Sequence, residues 1–135
     1  MSWFEKPTEA PARVPTEAIW AVCPGCKAYI AKEAWRAANK VCPRCNHHDR
    51  LGCRERVALL TDAGSFKELN PEVSFNDPLT FTDSTGSYAD KAKATIAKVG
   101  IGEAVLTGTA AVDKIPVVLG VMDFKFMGGS LGSGT

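Results

Sequence analysis

The stretch that decides the fold runs from Cys23-Pro24-Gly25-Cys26 to Cys42-Pro43-Arg44-Cys45, two C-x-x-C pairs separated by fifteen residues. This spacing is typical of four-cysteine zinc sites, because each tight turn offers two thiolates and the spacer can return as a short hairpin. Four thiolates fill the tetrahedral shell of Zn²⁺ and leave no open position. We therefore expect a small zinc ribbon with one structural zinc ion, bound by Cys23, Cys26, Cys42 and Cys45.

Two other chemistries are open for these cysteines. The pairs could form disulfides, although the first residues, Met1 to Lys6, are charged early and lack the apolar core of a secretory signal. One pair could be a redox dithiol, but that function needs a single pair and not two matched ones. The fifth cysteine, Cys53, is expected to be a small buried residue. His47 and His48 are not expected as ligands, because four cysteines already complete the shell.

Charge is distributed unevenly along the chain. The 135 residues carry a net charge of +1, yet residues 23–60 hold eight Lys or Arg against three acids. This local excess of five can attract the phosphates of a nucleic acid or a nucleotide cofactor, so a nucleic-acid-binding zinc ribbon is an alternative function. It can equally be a solvated surface beside an anionic metal cluster. Tyr29 and Trp35 are the aromatic residues expected to be exposed there, few for a stacking surface.

Length and hydropathy favour a folded protein without a membrane span. Hydrophobic residues make up 45% of the chain, enough for a core. The longest apolar run, residues 115–122, is too short to cross a bilayer. We expect a cytoplasmic protein that does not bind membranes.

Composition and periodicity divide the chain into four parts. Residues 1–18 contain three prolines and are predicted to be a flexible tail, and residues 19–50 form the ribbon. Residues 51–100 are a helical and loop connection. Residues 101–135 begin an α/β domain with a β-hairpin and a glycine-rich loop. The second hairpin strand, 116–124, is nearly all apolar, which predicts burial on both faces. Since no later element covers it, we expect a truncated domain and a fragment of a longer protein.

Two helices are predicted within the connection. The first spans about 49–63, ends at Gly64 as its C-cap, and presents one apolar face made by Cys53, Val57 and Leu60. The second spans about 87–98 and opens at Ser87 as its N-cap, with Asp90 three residues later in an arrangement close to a capping box.

Four segments taken together resemble one family. They are the start Met1-Ser2-Trp3-Phe4, the ribbon end Cys42-Pro43-Arg44-Cys45-Asn46-His47-His48, the stretch Asp62-Ala63-Gly64-Ser65-Phe66-Lys67-Glu68-Leu69 and the end Asp123-Phe124-Lys125-Phe126-Met127-Gly128-Gly129-Ser130-Leu131-Gly132-Ser133. In this order and at these distances they resemble the N-terminal part of the bacterial acetyl-CoA carboxylase carboxyltransferase β subunit. The resemblance covers nearly the whole chain.

This resemblance implies a small zinc ribbon followed by the beginning of a crotonase-like α/β domain. It implies a partner, the carboxyltransferase α subunit, in an α2β2 hetero-oligomer with the active site between the two subunits. The implied reaction transfers a carboxyl group from carboxybiotin, on the biotin carboxyl carrier protein, to acetyl-CoA, which gives malonyl-CoA for fatty acid biosynthesis. The ribbon is implied to cap the active-site entrance or to hold the subunit interface.

The chain also departs from the family pattern. The family continues beyond the glycine-rich loop to a Ser-Gly-Gly-Ala-Arg-like segment that supplies oxyanion-hole donors, and that segment is not in this sequence. We therefore expect no catalytic residue in this chain and no activity from it alone. Gly128 and Gly129 are candidate substrate-binding residues near the CoA or biotin path, unless they serve only a strand-to-helix turn.

Overall fold

A computed structural model describes residues 19–135, which fall into two compact units that divide after Arg50. The predicted tail, residues 1–18, lies outside the described residues. Each unit is built around its own hydrophobic cluster. Among the described residues, no helix is both long enough and apolar enough to cross a membrane.

The first unit is a β-hairpin followed by a short helix. Strand β1 (Trp20–Val22) pairs antiparallel with β2 (Tyr29–Ala31). Helix α1 (Lys32–Ala37) begins at the residue after β2. A single antiparallel bridge then joins Val41 to His48 around the second cysteine pair. The spacer between the cysteine pairs thus runs out as a strand and returns through a helix.

A very small core holds this unit together. Its buried members are Cys23, Ile30, Trp35 and Cys42. Trp35 is only 6% exposed, so the expectation that it lies at the surface is wrong: it is the buried residue of α1. Two of the four core side chains are small thiols, and apolar burial on this scale cannot stabilise a unit of this size by itself. A further source of stability is required.

The second unit is built on a three-stranded antiparallel sheet. Its strands are β3 (Lys67–Glu68), β6 (Val105–Val112) and β7 (Ile115–Met122), with β6 in the centre. The remaining elements are helices α2 (Cys53–Leu60) and α3 (Tyr88–Val99), a two-stranded hairpin of β4 (Thr82–Asp83) and β5 (Gly86–Ser87), and a 3-10 turn, Met127–Gly129. The predicted β6–β7 hairpin is confirmed, with β3 added at its other edge.

A carboxylate stabilises the turn of this hairpin. Val112 lies opposite Ile115, so the loop has two residues, Asp113 and Lys114, with φ values of 49° and 67°. Positive φ at both positions defines a type I′ turn, which suits strand twist but is unfavourable for residues other than glycine. The side chain of Asp62 accepts hydrogen bonds from the backbone N–H groups of Asp113 at 3.0 Å and Lys114 at 2.8 Å. These bonds offset the strain.

The prediction that β7 is buried on both faces is wrong for the described residues. Val121 is buried, whereas Val118 is 74% exposed. In β6, Leu106 and Ala110 are buried and their neighbours are not. The sheet therefore has one buried face. The opposite face of β7, which includes Val118, is apolar but is not covered by other described residues of this unit. The buried residues of the core come from α2, from β6 and β7, and from the segments that precede β6 and follow β7. They are Cys53, Val57, Ile101, Ala104, Leu106, Val121 and Phe126.

Helix α2 is shorter than predicted. Its last residue, Leu60, is 49% exposed and does not share the buried face of Cys53 and Val57. The chain leaves the helix at Thr61, whose hydroxyl donates to the Val57 carbonyl at 2.9 Å. Gly64 therefore lies in a later turn, and its prediction as the C-cap is wrong.

Helix α3 agrees better with its sequence signals. It ends at Gly100, which has the left-handed φ of 80° typical of a C-cap. Ser87 occupies the N-cap position, but its side chain makes no capping hydrogen bond, so the predicted capping box is wrong.

A buried carboxylate ties α2 to the end of β7. Asp123 is 3% exposed, and its Oδ2 accepts a 2.8 Å hydrogen bond from the backbone N–H of Cys53, the first residue of α2. Its Oδ1 accepts from the N–H of Lys125 at 2.9 Å. A carboxylate at a helix N-terminus satisfies an unpaired N–H and interacts favourably with the helix dipole. Burial raises the pKa of Asp123, but these hydrogen bonds outweigh burial and hold the pKa below its usual range.

We predict that Asp123→Ala destabilises the second unit by about 1–3 kcal/mol, because the Cys53 N–H loses its acceptor in a buried position. All three tryptophans precede residue 51, so the measurement is urea unfolding followed by amide hydrogen exchange in residues 51–135. Glu72→Gln, at an exposed position, is the matched control. Because the folded pKa is depressed, the stabilisation is present above the unfolded pKa of about 3.9 and is lost as pH falls through the folded pKa. Equal stability of Asp123→Ala and the parent at pH 7 would contradict this role.

Candidate metal centre

Two equivalent turns carry the four cysteines. In the first, the backbone N–H of Lys27 donates to the carbonyl of Cys23, and in the second that of Asn46 donates to the carbonyl of Cys42, both at 2.9 Å. Lys27 and Asn46 both have left-handed backbones, with φ of 60° and 55°. The two pairs are thus held by the same local geometry, although their intervening residues differ.

Glycine in the first turn serves close packing and not an unusual dihedral. Asn46 takes the left-handed conformation in the second turn, but in the first turn Lys27 takes it and Gly25 does not. A Cβ on Gly25 would lie 3.1 Å from the Cβ of His47. A larger residue there would push the two cysteine turns apart.

The turns bring the four sulfur atoms into one small volume. The Sγ atoms of Cys23, Cys26, Cys42 and Cys45 all lie within 4.8 Å of one another. The Sγ atoms of Cys23 and Cys45 are 3.7 Å apart, and so are those of Cys26 and Cys42. Four thiolates about 2.3 Å from a zinc ion in a tetrahedron would lie about 3.8 Å apart. The type and the spacing of these donors therefore fit a tetrahedral zinc ion.

Burial and hydrogen bonding act in opposite directions on the thiols of this cluster. Cys23 and Cys42 are fully buried, whereas Cys26 and Cys45 are exposed. Burial raises the pKa of Cys42, but hydrogen bonds from the backbone N–H groups of Arg44 and Cys45 outweigh burial and lower the pKa to about 6. A backbone hydrogen bond from His47 lowers the pKa of Cys45, but desolvation and the neighbouring cysteines outweigh it and raise the pKa to about 12. Without a metal, Cys42 therefore loses its proton more readily than Cys45 does. A bound divalent cation would favour the thiolate form of the cysteines.

The other candidate ligands are not part of this group. His47 and His48 lie outside it. Among the described residues, the four cysteines are the group of His, Cys, Asp and Glu side chains close enough to bind one metal. Cys53 is 2% exposed in the core of the second unit, and burial together with the Asp123 charge raises its pKa to about 11. It is an inert thiol.

The first unit has an exposed apolar surface, the outer face of its hairpin, made by Trp20, Val22 and Tyr29. Val22 lies opposite Tyr29 in the register, and Trp20 shares their face because side chains alternate along a strand. Tyr29 is 72% exposed and Trp20 is 42% exposed. Trp20 was not expected here, although the alternation of Trp20, Ala21 and Val22 was the signal that would have placed it.

Gly128 and Gly129 lie in the turn after β7. Their φ values are 72° and 81°, in the left-handed region that glycine adopts without strain. A Cβ on Gly129 would lie 2.9 Å from the ring of Phe124. Turn geometry and close packing are therefore sufficient reasons for glycine here, and contact with a substrate stays a prediction.

Comparison with known proteins gives relatives over most of the chain. It is 41% identical over 117 residues to the acetyl-coenzyme A carboxylase carboxyl transferase subunit beta of Synechococcus sp. (strain WH7803), which is 87% of this chain and 40% of that protein. It is 44% identical over 115 residues to the subunit of the same name from Thermus thermophilus, with 85% of this chain and 40% of that protein covered. No protein-family model matches.

The fold and the site first define a class, proteins with a unit whose four clustered cysteines could hold a metal ion, followed by a unit of helices and an antiparallel sheet. Within that class, the homologues of this chain, at about 40% identity over 87% of its length, are acetyl-CoA carboxylase carboxyl transferase β subunits, so the resemblance read from the sequence is confirmed. The chain spans about 40% of the length of the curated relatives that it matches.

We predict about one zinc ion per chain, measured by elemental analysis of the reduced protein, and close to none for Cys45→Ser, because three thiolates leave the tetrahedron open. Cys53→Ala is the matched control and should keep its zinc. Chelation should change the fluorescence of Trp20 and Trp35 in the first unit and leave amide protection in residues 51–135 intact. A protein without stoichiometric zinc, or a first unit that stays ordered after chelation, would refute the metal centre.

Proposed function

We propose that Cys23, Cys26, Cys42 and Cys45 bind one structural zinc ion that stabilises the first unit. The proposal is supported by the sulfur spacing and by a core too small to hold the unit on its own. When bound, zinc cross-links the two cysteine turns and leaves no coordination position for a substrate. The first unit would then be a rigid support for the surface that it presents and not a catalytic centre.

We propose further that the chain acts as part of a carboxyltransferase β subunit. With the α subunit, in an α2β2 assembly in the cytoplasm, it would serve the transfer of a carboxyl group from carboxybiotin on the biotin carboxyl carrier protein to acetyl-CoA, giving malonyl-CoA for fatty acid biosynthesis. The observation that carries this proposal is the match of 87% of the chain to subunits of that name.

The charge of the first unit supports a role beside an anionic substrate. Residues 19–50 hold six Lys or Arg and two acids, and a zinc ion with four thiolates subtracts a formal charge of about two. The unit would still be positive, which suits the phosphates of CoA at an active-site entrance. This charge would raise the local concentration of substrate more than it would fix one binding pose.

We propose that the second unit is the beginning of a crotonase-like domain and that Gly128 and Gly129 lie near the substrate path. The β6–β7 hairpin would be the first hairpin of such a domain, and Gly128, in the turn after β7, is exposed. The chain spans 40% of its relatives' length, so donors for the thioester oxyanion would have to come from elsewhere. The 135-residue chain alone is therefore proposed to be inactive.

The test is co-expression of the 135-residue chain with the α subunit, followed by a malonyl-CoA assay with carboxybiotinylated carrier protein. We expect the chain to co-purify with the α subunit and to give no malonyl-CoA above background. The full-length Thermus thermophilus subunit with its own α subunit is the positive control. Turnover near that of the control would overturn the proposed inactivity, and failure to co-purify would overturn the assignment to the β subunit.

A second candidate function is binding of single-stranded nucleic acid by the first unit. The observation that favours it is the outer face of the hairpin, where Trp20 and Tyr29 are exposed on a unit with excess positive charge. Aromatic side chains on a basic surface are the elements of a stacking platform. Buried Trp35 does not contribute, so Trp20 takes its place beside Tyr29 as the second exposed aromatic residue.

We predict that, if this second function holds, oligonucleotide affinity falls with salt at a log–log slope of about −0.7 for each phosphate neutralised. Tyr29→Ala should weaken binding by about 1–3 kcal/mol through lost stacking, measured by fluorescence anisotropy. Tyr88→Ala, a tyrosine change in the second unit, is the control. Binding that ignores both salt and Tyr29→Ala would remove this candidate.

A further inference from the structure

The cysteine cluster of the first unit contains two sulfur–sulfur contacts, and both join one cysteine turn to the other. The Sγ of Cys23 lies 3.7 Å from that of Cys45, and the Sγ of Cys26 lies 3.7 Å from that of Cys42. All four residues belong to the unit that ends at Arg50, so both contacts lie within that unit. The first cysteine of each turn is thus in contact with the second cysteine of the other turn.

Burial divides each contact into an outer and an inner sulfur. Cys26 and Cys45 are exposed, whereas their partners, Cys42 and Cys23, are fully buried in the core of the unit. A small oxidant therefore reaches the outer thiolate first, because the oxidation of a cysteine follows its thiolate character and its exposure. The inner sulfur is shielded from solvent but lies beside the atom that is oxidised. Each contact thus combines an attacked cysteine with a resolving cysteine.

The distance permits a disulfide at each contact. An S–S bond is about 2.05 Å long, so closing a 3.7 Å contact requires about 0.8 Å of movement from each sulfur. The two contacts share no sulfur atom, so both can close in the same molecule. The resulting disulfides connect the same two turns that a zinc ion would connect in the reduced protein.

We propose that the four cysteines form a peroxide-reactive site, which is oxidised to the disulfides Cys23–Cys45 and Cys26–Cys42 with release of the metal ion. This inference rests on the proposed zinc ion, whose ligands are the same four sulfurs. The co-reactant is a small peroxide, which is compact enough to reach the outer sulfur of each contact.

Each disulfide consumes one molecule of hydrogen peroxide. The outer thiolate attacks one peroxide oxygen, the O–O bond breaks, hydroxide leaves, and the sulfur becomes a sulfenic acid. The inner thiolate then attacks that sulfur, an S–S bond forms, the S–O bond breaks, and a second hydroxide leaves. The two thiolates lose two electrons and the peroxide gains them. Two such reactions use all four thiolates, and Zn²⁺ loses its ligands because it binds the thiolate form.

Pairing across the turns gives oxidation a different effect from chelation. Chelation of the reduced protein leaves the two turns unconnected, whereas two disulfides between the turns hold them together and restrict the unfolded chain. Disulfides within each turn, Cys23–Cys26 and Cys42–Cys45, would not connect them. We therefore expect the oxidised first unit to keep the amide protection that the chelated, reduced unit loses.

The experiment is treatment of the zinc-loaded 135-residue chain with hydrogen peroxide, followed by a zinc-sensitive dye and by tryptic peptide mapping without reduction. Trypsin cleaves after lysine and arginine, so Cys23 and Cys26 fall in peptide 14–27, Cys42 in peptide 41–44 and Cys45 in peptide 45–50. We expect release of about one zinc ion per chain. We also expect a single disulfide-linked species that joins the first peptide to both of the others.

Two further measurements test the order of attack and the effect on the fold. Dimedone, which traps sulfenic acids, should label Cys45 before Cys42, because the outer sulfur is attacked first. Amide exchange of residues 19–50 should show protection in the oxidised protein. Cys53→Ala is the matched control: Cys53 is buried in the second unit, so this variant should release the same zinc and give the same linked peptides.

The outcomes separate this proposal from the metal centre on which it rests. Peptide 41–44 joined to 45–50 without 14–27 would show disulfides within the turns and overturn the proposal alone. Zinc retained in excess peroxide, sulfinic or sulfonic acids in place of disulfides, or labelling of Cys42 before Cys45 would overturn it too. So would amide protection lost on oxidation as fully as on chelation. A chain that holds no zinc before peroxide is added would overturn the metal centre and this proposal together.

Discussion

Four sulfur atoms from two separate turns lie within 4.8 Å of one another, and the other contacts of the first unit are arranged around them. The turns repeat one backbone geometry around Cys23 and Cys42, and Gly25 lets them approach because a Cβ there would lie only 3.1 Å from the Cβ of His47. The segment between them must leave and return over a short distance. It does so as β2 and α1, which bury Ile30 and Trp35 against the two inner cysteines. Cys23 and Cys42 are therefore themselves part of the core of the first unit, and Ile30 and Trp35 pack against them.

In the second unit, two carboxylates hold the hairpin at its two ends. Asp62 accepts the N–H groups of the turn between β6 and β7, and Asp123 at the open end accepts the first N–H of α2. The segment from Cys53 to Asp62 is therefore fastened along the hairpin at both of its limits. Hydrogen bonds to carboxylates are stronger than those between neutral groups, so a few of them can fix a short helix that propensity alone would not hold.

The surfaces that remain exposed indicate where each unit would act. The outer face of the β1–β2 hairpin presents aromatic side chains on a positively charged unit, which suits an anionic, planar or extended ligand. Strand β7, the last strand of its sheet among the described residues, presents exposed apolar side chains such as Val118.

The sequence by itself determined the cysteine site, the hairpin and the family, because these depend on local spacing. C-x-x-C fixes two ligands on one turn, and Asp113-Lys114 between apolar runs marks a two-residue loop. Only the tertiary structure decided which apolar residues are buried. Trp35 is inside and Trp20 outside, Leu60 is exposed, and one face of β7 is uncovered, although all are apolar in sequence. Burial depends on what packs from distant parts of the chain. For the same reason no local pattern revealed that Asp123, seventy residues away, would accept the first N–H of α2.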